Sequence, residues 1–188
     1  MTKKVVLASS NRHKLEEFRA ILRGWDVVFA SEAGFTDEVE ETGRTFAENA
    51  EIKARAVCKA LGVPAIADDS GLCVDALGGA PGVYSARYSG GGDQENRALL
   101  LKNMEGVKDR RACFVSAIAF VFPDGKIIRA EGKTYGEILP EERGEHGFGY
   151  DCLFLSDDLK KSFGEATEEE KNSVSHRGRA LRALEAQL

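Results

Sequence analysis

The stretch Pro64-Ala65-Ile66-Ala67-Asp68-Asp69-Ser70-Gly71-Leu72 decides how this chain folds. A short apolar run opened by proline ends in two adjacent carboxylates, a hydroxyl and a glycine. The run is too short for a helix and is bounded by turn residues, so it reads as a buried strand. Successive strand side chains point to opposite faces, so Asp68 and Asp69 are expected to diverge. A buried strand that delivers an acid to its carboxyl end is a common way for α/β folds to hold a metal or a general base. The same residues also fit an Asp-Ser-Gly turn closed by its own side chains.

Upstream, Thr45-Phe46-Ala47-Glu48 is a capping-box pattern that predicts a strong helix. Phe46, Ala50, Ala54, Val57 and Leu61 form its apolar stripe, with Asn49 and Lys53 on the border, four positions apart. The segment 31–43 is acidic and weakly periodic, which reads as a loop carrying Asp37, Glu38, Glu40 and Glu41. Acid clusters are usually solvated, yet Mg²⁺ often takes only one or two carboxylates and completes its shell from phosphates and water. At the amino end, residues 4–8 read as a first strand, and residues 27–29 as a second. Between them Ser9-Ser10-Asn11 offers helix caps, and Leu15, Phe18, Ile21 and Leu22 recur at helical spacing. Lys14 falls in the first turn of that helix, where a cation opposes the dipole unless an anion neutralises it. No Walker loop is present.

Downstream, residues 74–88 hold three glycines and a proline, which demands an irregular backbone. A helix is predicted over 93–104. A hairpin follows, from 111–122 through Pro123-Asp124-Gly125 into 127–134, and it makes the sheet mixed. His146-Gly147-Phe148-Gly149-Tyr150-Asp151 is a glycine-aromatic turn leading into a strand over 152–155. Phe148 or Tyr150 offers a face for a nucleobase, or packs on the core. Residues 167–171 form a charged helical turn. Lys171, His176 and Arg177 read as a donor cluster at the amino end of a final helix that buries Leu181 and Leu184.

Composition bounds the function classes. At 188 residues, 43% of them hydrophobic, the chain suits one domain spanning 1–188, or one domain with a small lobe. A formal net charge of −5 argues against a general nucleic-acid binder, though not against a small anion in a local basic pocket. No run approaches a membrane span. The start, Met1-Thr2-Lys3-Lys4 before Val5-Val6-Leu7, is too short an apolar run for a secretory signal. Cys58, Cys73, Cys113 and Cys152 form no Cys-x-x-Cys pair, and they read as reduced, buried thiols of a cytoplasmic protein.

The ordered set of motifs closely resembles the Ham1-like, ITPase family of nucleoside-triphosphate pyrophosphatases. The matching stretches are Ser9–Lys14, Glu41–Ala50 with Lys53, Ala67–Leu72, Gly78–Arg87, Phe148–Asp151, and Lys171 with Ser175-His176-Arg177. One departure is Ser9-Ser10 where many members carry Thr-Gly, and Ser10 has less backbone freedom than glycine. The resemblance implies an elongated, twisted mixed α/β sheet with flanking helices, two lobes around a central cleft, a homodimer and Mg²⁺. It implies that Ser9, Ser10, Asn11, Arg12, His13, Lys14 and Lys53 meet the triphosphate. Glu41 and Asp69 would hold the metal, with Asp69 as proton acceptor and Ser70 touching substrate. Phe148, Gly149, Tyr150, Asp151, Lys171, His176 and Arg177 would form the nucleoside pocket. The implied reaction converts ITP, dITP or XTP and water to the monophosphate and pyrophosphate. The residues alone leave Asp68 open as the base, because strand geometry does not say which acid faces the substrate. They also leave open a nucleotide-binding module without catalysis, and a Maf-like pyrophosphatase.

Overall fold

The computed structural model describes residues 3–188. Met1 and Thr2, part of the stretch read as too short for a secretory signal, lie outside the described residues. The elements in order are β1 (Lys3–Leu7), α1 (Arg12–Ile21), β2 (Trp25–Phe29), α2 (Phe46–Leu61), β3 (Ala65–Val74), α3 (Asp93–Asn103), β4 (Arg111–Val121), β5 (Ile127–Ile138), β6 (Phe154–Ser156), α4 (Glu168–Val174) and α5 (His176–Glu185). The strands form one six-stranded sheet in the order β2-β1-β3-β4-β5-β6. The β1 pairings with β2 and β3 are parallel and the β5–β6 pairing is antiparallel, so the sheet is mixed, with helices flanking it. No helix among the described residues is long and apolar enough to cross a membrane.

The chain forms two compact units. One comprises the chain up to Asp69, Ser116–Gly132 and Arg177–Leu188; the other comprises Ser70–Val115 and Lys133–His176. In the first, strand alternation sorts the core by side-chain size. Val5, Leu7, Ile66, Ile118 and Phe120 share one cluster with Leu15 and Phe18 of α1 and Leu181 and Leu184 of α5. Val6, Ala65, Ala67, Ala119 and Val121 share another with Ala50, Ala54 and Val57 of α2. Bulky residues thus meet α1 and α5, while smaller ones, the alanines of β3 among them, share a cluster with α2. In the second unit Phe114, Phe154 and Phe163 pack with ring centroids 4.6 and 5.1 Å apart, among Leu72, Leu100, Met104 and Leu153.

Several expected boundaries move. β3 does not stop at the acid pair; it runs through Ser70 and Gly71 to Val74, so no Asp-Ser-Gly turn forms. Its polar residues meet tertiary partners there, and the Leu72 N–H donates to Ser85 Oγ at 2.9 Å. β5 reaches Ile138 rather than residue 134. The strand expected over 152–155 shifts to Phe154–Ser156, because Asp151–Leu153 is a turn of 3₁₀ helix. The charged turn at 167–171 extends to a helix ending at Val174, with a capping box between Thr167 and Glu170. Of the four cysteines, all free, only Cys58 is buried; the other three are half-buried.

Candidate active site

The alternation that sorts the core also separates the two adjacent acids. Asp68 has the parity of Ile66, whose cluster includes α1 and α5. It is 1% exposed, and its carboxylate meets Lys14 Nζ at 2.8 Å, Arg177 at 3.3 Å and the hydroxyl of Ser116. Arg177 of α5 also pairs with Glu17 of α1, buried at 5% exposure. Burial alone would raise Asp68. The Arg177 and Lys14 charges, with hydrogen bonds from Lys14 and Ser116, outweigh it and hold the carboxyl well below the usual range. Burial pushes Lys14 down; Asp68 opposes this, while Arg177 and Lys53 add to it.

Asp69 has the parity of Ala65 and Ala67, whose cluster includes α2. Lys53 of α2 places Nζ 3.3 Å from Asp69 Oδ1, 3.2 Å from Glu41 Oε1 and 3.1 Å from the Asp68 carbonyl oxygen. Asp69 Oδ2 is buried with no hydrogen-bond partner. Burial pushes Asp69 up, and the negative charges of Glu41 and Asp68 add to that, against the lowering by Lys53 and Lys14. One peptide bond therefore separates a locked anion from a carboxylate that takes a proton more readily. Among the described residues no three or more His, Cys, Asp or Glu side chains gather as a metal site. A cation here would take two carboxylates, Glu41 and Asp69, with the orphaned Oδ2 as a ready ligand. That donor set suits Mg²⁺, whose remaining positions go to phosphate oxygens and water.

The Ser9–Lys14 turn lies in the same unit. Ser9 Oγ accepts the Asn11 N–H at 3.1 Å, and Asn11 Oδ1 accepts the Lys14 N–H at 3.3 Å, capping α1. The turn needs no glycine: Ser10 is not at positive φ, where Lys160 is the only non-glycine among the described residues. Arg12 and His13 are exposed, with Arg12 paired to Glu16. Lys14 is neither solvated on an exposed turn nor in need of an outside anion to offset its charge, since its Nζ meets the Asp68 carboxylate. A cavity of about 310 Å³ is lined by Ser9, Ser10, Thr36, Asp37 and Lys53 among others.

The remaining candidates lie in the second unit. Lys171 of α4 is 5% exposed and pairs with Asp151 at 2.8 Å, its Nζ 4.7 Å from the Phe148 ring centroid. Asp151 also accepts the Phe148 N–H at 3.0 Å. Gly147 and Gly149 sit at φ 76° and 59°, the left-handed region that shapes this turn. His176 stacks on Phe114 at 4.8 Å. Tyr150 is 5% exposed in the core and donates its hydroxyl hydrogen to the Ser85 carbonyl at 2.7 Å, so its ring packs inside and offers no free face. Ser70 is half-buried on β3. Of the three expected donors, Arg177 pairs with Asp68 and Glu17 in the first unit, and Lys171 and His176 are part of the second.

Glu17 and Ser116 are not singled out by any motif of the sequence. Each carried a faint signal. Glu17 lies three positions after Lys14, beside the apolar stripe, and Ser116 interrupts an apolar strand at the parity of Ile118 and Phe120. Neither pattern names its partner.

The Ham1 family model matches residues 5–187. A Bacillus licheniformis protein named dITP/XTP pyrophosphatase is 48% identical, covering 99% of this chain and 98% of that protein. Its Bacillus subtilis namesake is also 48% identical, over 97% and 95%. Among solved structures, the Staphylococcus aureus Ham1 protein superposes with a TM-score of 0.90 at 43% identity, covering 98% of this chain and 97% of the other. A HAM1 protein from Coxiella burnetii gives 0.89 at 40%, covering 98% of each. With motifs, fold and full-length matches in agreement, this chain belongs to the Ham1 family.

Proposed function

We propose that this chain is a Mg²⁺-dependent nucleoside-triphosphate pyrophosphatase acting on ITP, dITP and XTP. Water attacks the α-phosphorus, the bond to the β-phosphate's bridging oxygen breaks, and monophosphate and pyrophosphate leave. The carrying observation is the Asp69–Glu41–Lys53 cluster: two carboxylates around one ammonium, with a buried oxygen of Asp69 unpartnered. The names of the full-length relatives support dITP and XTP among these substrates.

In this reading Glu41 and Asp69 would hold Mg²⁺, which would supply charge neutralisation for the phosphates and acidification of water. Lys53 supplies fixed positive charge near the reacting phosphate, where negative charge spreads over phosphoryl oxygens. The Ser9–Lys14 turn holds the distal phosphates through its backbone N–H groups, hydroxyls and the Lys14 charge. Asp69 is the proton acceptor in this reading, because the cations and the hydroxyl that engage Asp68 argue against Asp68 in that role. Phe148 stacks on the base, with Ser70 and the Gly149 backbone beside the substrate. Lys171 and His176 supply donors to a 6-oxygen, with Asp151 orienting Lys171. Adenine presents an amino group there and leaves those donors unpaired. A homodimer belongs to the same proposal and rests on the resemblance; a cytoplasmic location belongs to it too and rests on the unpaired cysteines.

The test is kcat/KM for ITP, dITP, XTP, GTP and ATP at one Mg²⁺ concentration. ITP, dITP and XTP are expected to be good substrates, GTP poor, and ATP lower by about 10⁴-fold. Similar values for ATP and ITP would refute the donor pocket.

A further inference from the structure

Helix α2 starts directly after the acidic segment that carries Glu41. Its first turn grips that segment. Thr45 and Glu48 form the capping box, and Glu48 Oε2 also accepts the Arg44 N–H at 2.6 Å. One position further along, Asn49 Oδ1 accepts the Gly43 N–H at 2.7 Å. A Cβ on Gly43 would come within 2.5 Å of Asn49 Oδ1, 2.7 Å of Glu48 Cβ and 2.9 Å of the Asn49 nitrogen, so the segment runs flush against the helix. Glu41 lies two positions before Gly43. Lys53, which meets both Glu41 and Asp69, lies one helical turn after Asn49. Asn49 therefore stands between the backbone that carries one carboxylate and the lysine that bridges both.

Asn49 is a poor choice for packing. It is 1% exposed, and Nδ2 is buried without a hydrogen-bond partner. Burying an unsatisfied amide donor costs free energy that alanine, the best helix former, would avoid. What the residue gives in return is one acceptor aimed at one backbone N–H.

We propose that Asn49 is a positioning residue for Glu41: by fixing the Gly43 turn it sets that carboxylate opposite Asp69. This rests on the assignment of Glu41 and Asp69 to the metal. Loss of the Gly43 contact frees the turn, so Glu41 spends less time at the distance a shared cation requires. The cost falls on cation affinity, with little effect on the rate once the cation saturates.

The two ends of the amide separate this role from bulk and polarity. Asn49→Ala removes the acceptor. Asn49→Ser is too short to reach the Gly43 N–H and should follow alanine. Asn49→Asp keeps an acceptor at the same place and replaces only the unpartnered donor, in a first helical turn that tolerates an acid. Two readouts apply: Mn²⁺ binding to the nucleotide-free protein by electron paramagnetic resonance, and the Mg²⁺ concentration giving half-maximal ITP hydrolysis. Asn49→Ala and Asn49→Ser are expected to weaken both by about tenfold, the scale of one lost hydrogen bond, with kcat at saturating Mg²⁺ within about threefold of wild type. Asn49→Asp is expected to stay within about threefold on both. Wild-type cation dependence in Asn49→Ala and Asn49→Ser overturns the proposal, as does a loss in Asn49→Asp equal to that in Asn49→Ala. Glu41→Gln separates the two levels. If it leaves Mn²⁺ binding unchanged, the metal assignment fails and the proposal with it. If it weakens binding while Asn49→Ala does not, only the positioning role fails.

Discussion

Asp68 and Asp69 share a peptide bond and are both buried, yet they meet different partners. Asp68 is surrounded by cations and a hydroxyl; Asp69 faces one ammonium, a second carboxylate and an empty hydrogen-bonding direction. Substitution should therefore split their effects. Asp69→Asn is expected to lower kcat at least about a hundredfold, the scale of a lost general base, with thermal unfolding little changed. Asp68→Asn should instead lower the melting temperature. A fast Asp69→Asn enzyme beside an inactive but stable Asp68→Asn would reverse the roles. The half-buried cysteines give a second residue-scale test. A hydrogen bond from Cys73 lowers the Cys113 thiol to about 7, with Lys133 adding to it against burial. Cys58, Cys73 and Cys152 are pushed up instead. At neutral pH iodoacetamide should label Cys113 first, at a rate that rises with pH through about 7. Peptide mapping that finds Cys58 or Cys152 modified first would contradict this.

The element that carries most of the catalytic proposal is α2. Its capping box fixes where the helix begins, and its fourth and eighth residues are Asn49 and Lys53. Thr45→Ala removes the hydroxyl that accepts the Glu48 N–H and should cost about 1 kcal/mol. For a chain of this size that lowers the melting temperature by roughly 2–4 °C, read by circular dichroism. Lys53→Ala keeps helix propensity and removes the only ammonium that touches both Glu41 and Asp69 among the described residues. A charge-assisted phosphate contact is worth roughly 1.5–3 kcal/mol, so kcat/KM should fall about tenfold to a few hundredfold. Lys14→Ala should lose activity on the same scale and stability as well, since Asp68 then loses an ion-pair partner at 2.8 Å. Unchanged kinetics in both variants would remove these lysines from the triphosphate site.

Across the whole molecule, Arg177 ties α5 to α1 through Glu17 and to β3 through Asp68. Arg177→Ala leaves both acids short of a partner in the interior. Breaking a buried pair in this way typically costs about 3–5 kcal/mol. That corresponds to a melting-temperature drop of roughly 6–20 °C. The network also sets an acid limit. Asp68 is held below its unfolded value of about 3.9, so its contribution to stability is complete above that pH. The contribution is lost as pH falls from about 4 toward the lower folded value, because the unfolded chain takes up the proton first. Urea denaturation between pH 6 and pH 3 should show stability falling steeply below about pH 4. Asp68→Asn should flatten that fall, and an equal slope in both proteins would sink the assignment.

The sequence alone carried the local decisions. Capping residues and apolar periodicity located α1 and α2 to within a residue, Pro123-Asp124-Gly125 located the hairpin, and motif order located the family, because these signals act between near neighbours. Strand pleat already required Asp68 and Asp69 to face opposite ways. Tertiary structure decided which face was which. That choice depends on helices far along the chain, α1 and α5 on one side and α2 on the other, and no local pattern encodes it. It also overrode local readings. Ser70-Gly71 looks like a turn yet lies inside β3, where Ser85 takes up the N–H of Leu72. Tyr150 looks like a platform for a base yet is packed in a core, its hydroxyl bound to a distant carbonyl. Arg177 looks like a donor for a ligand yet finds two carboxylates of its own chain, at positions 17 and 68. A side chain's type states what it is able to bind. Which partner it meets is set by packing between residues remote in sequence.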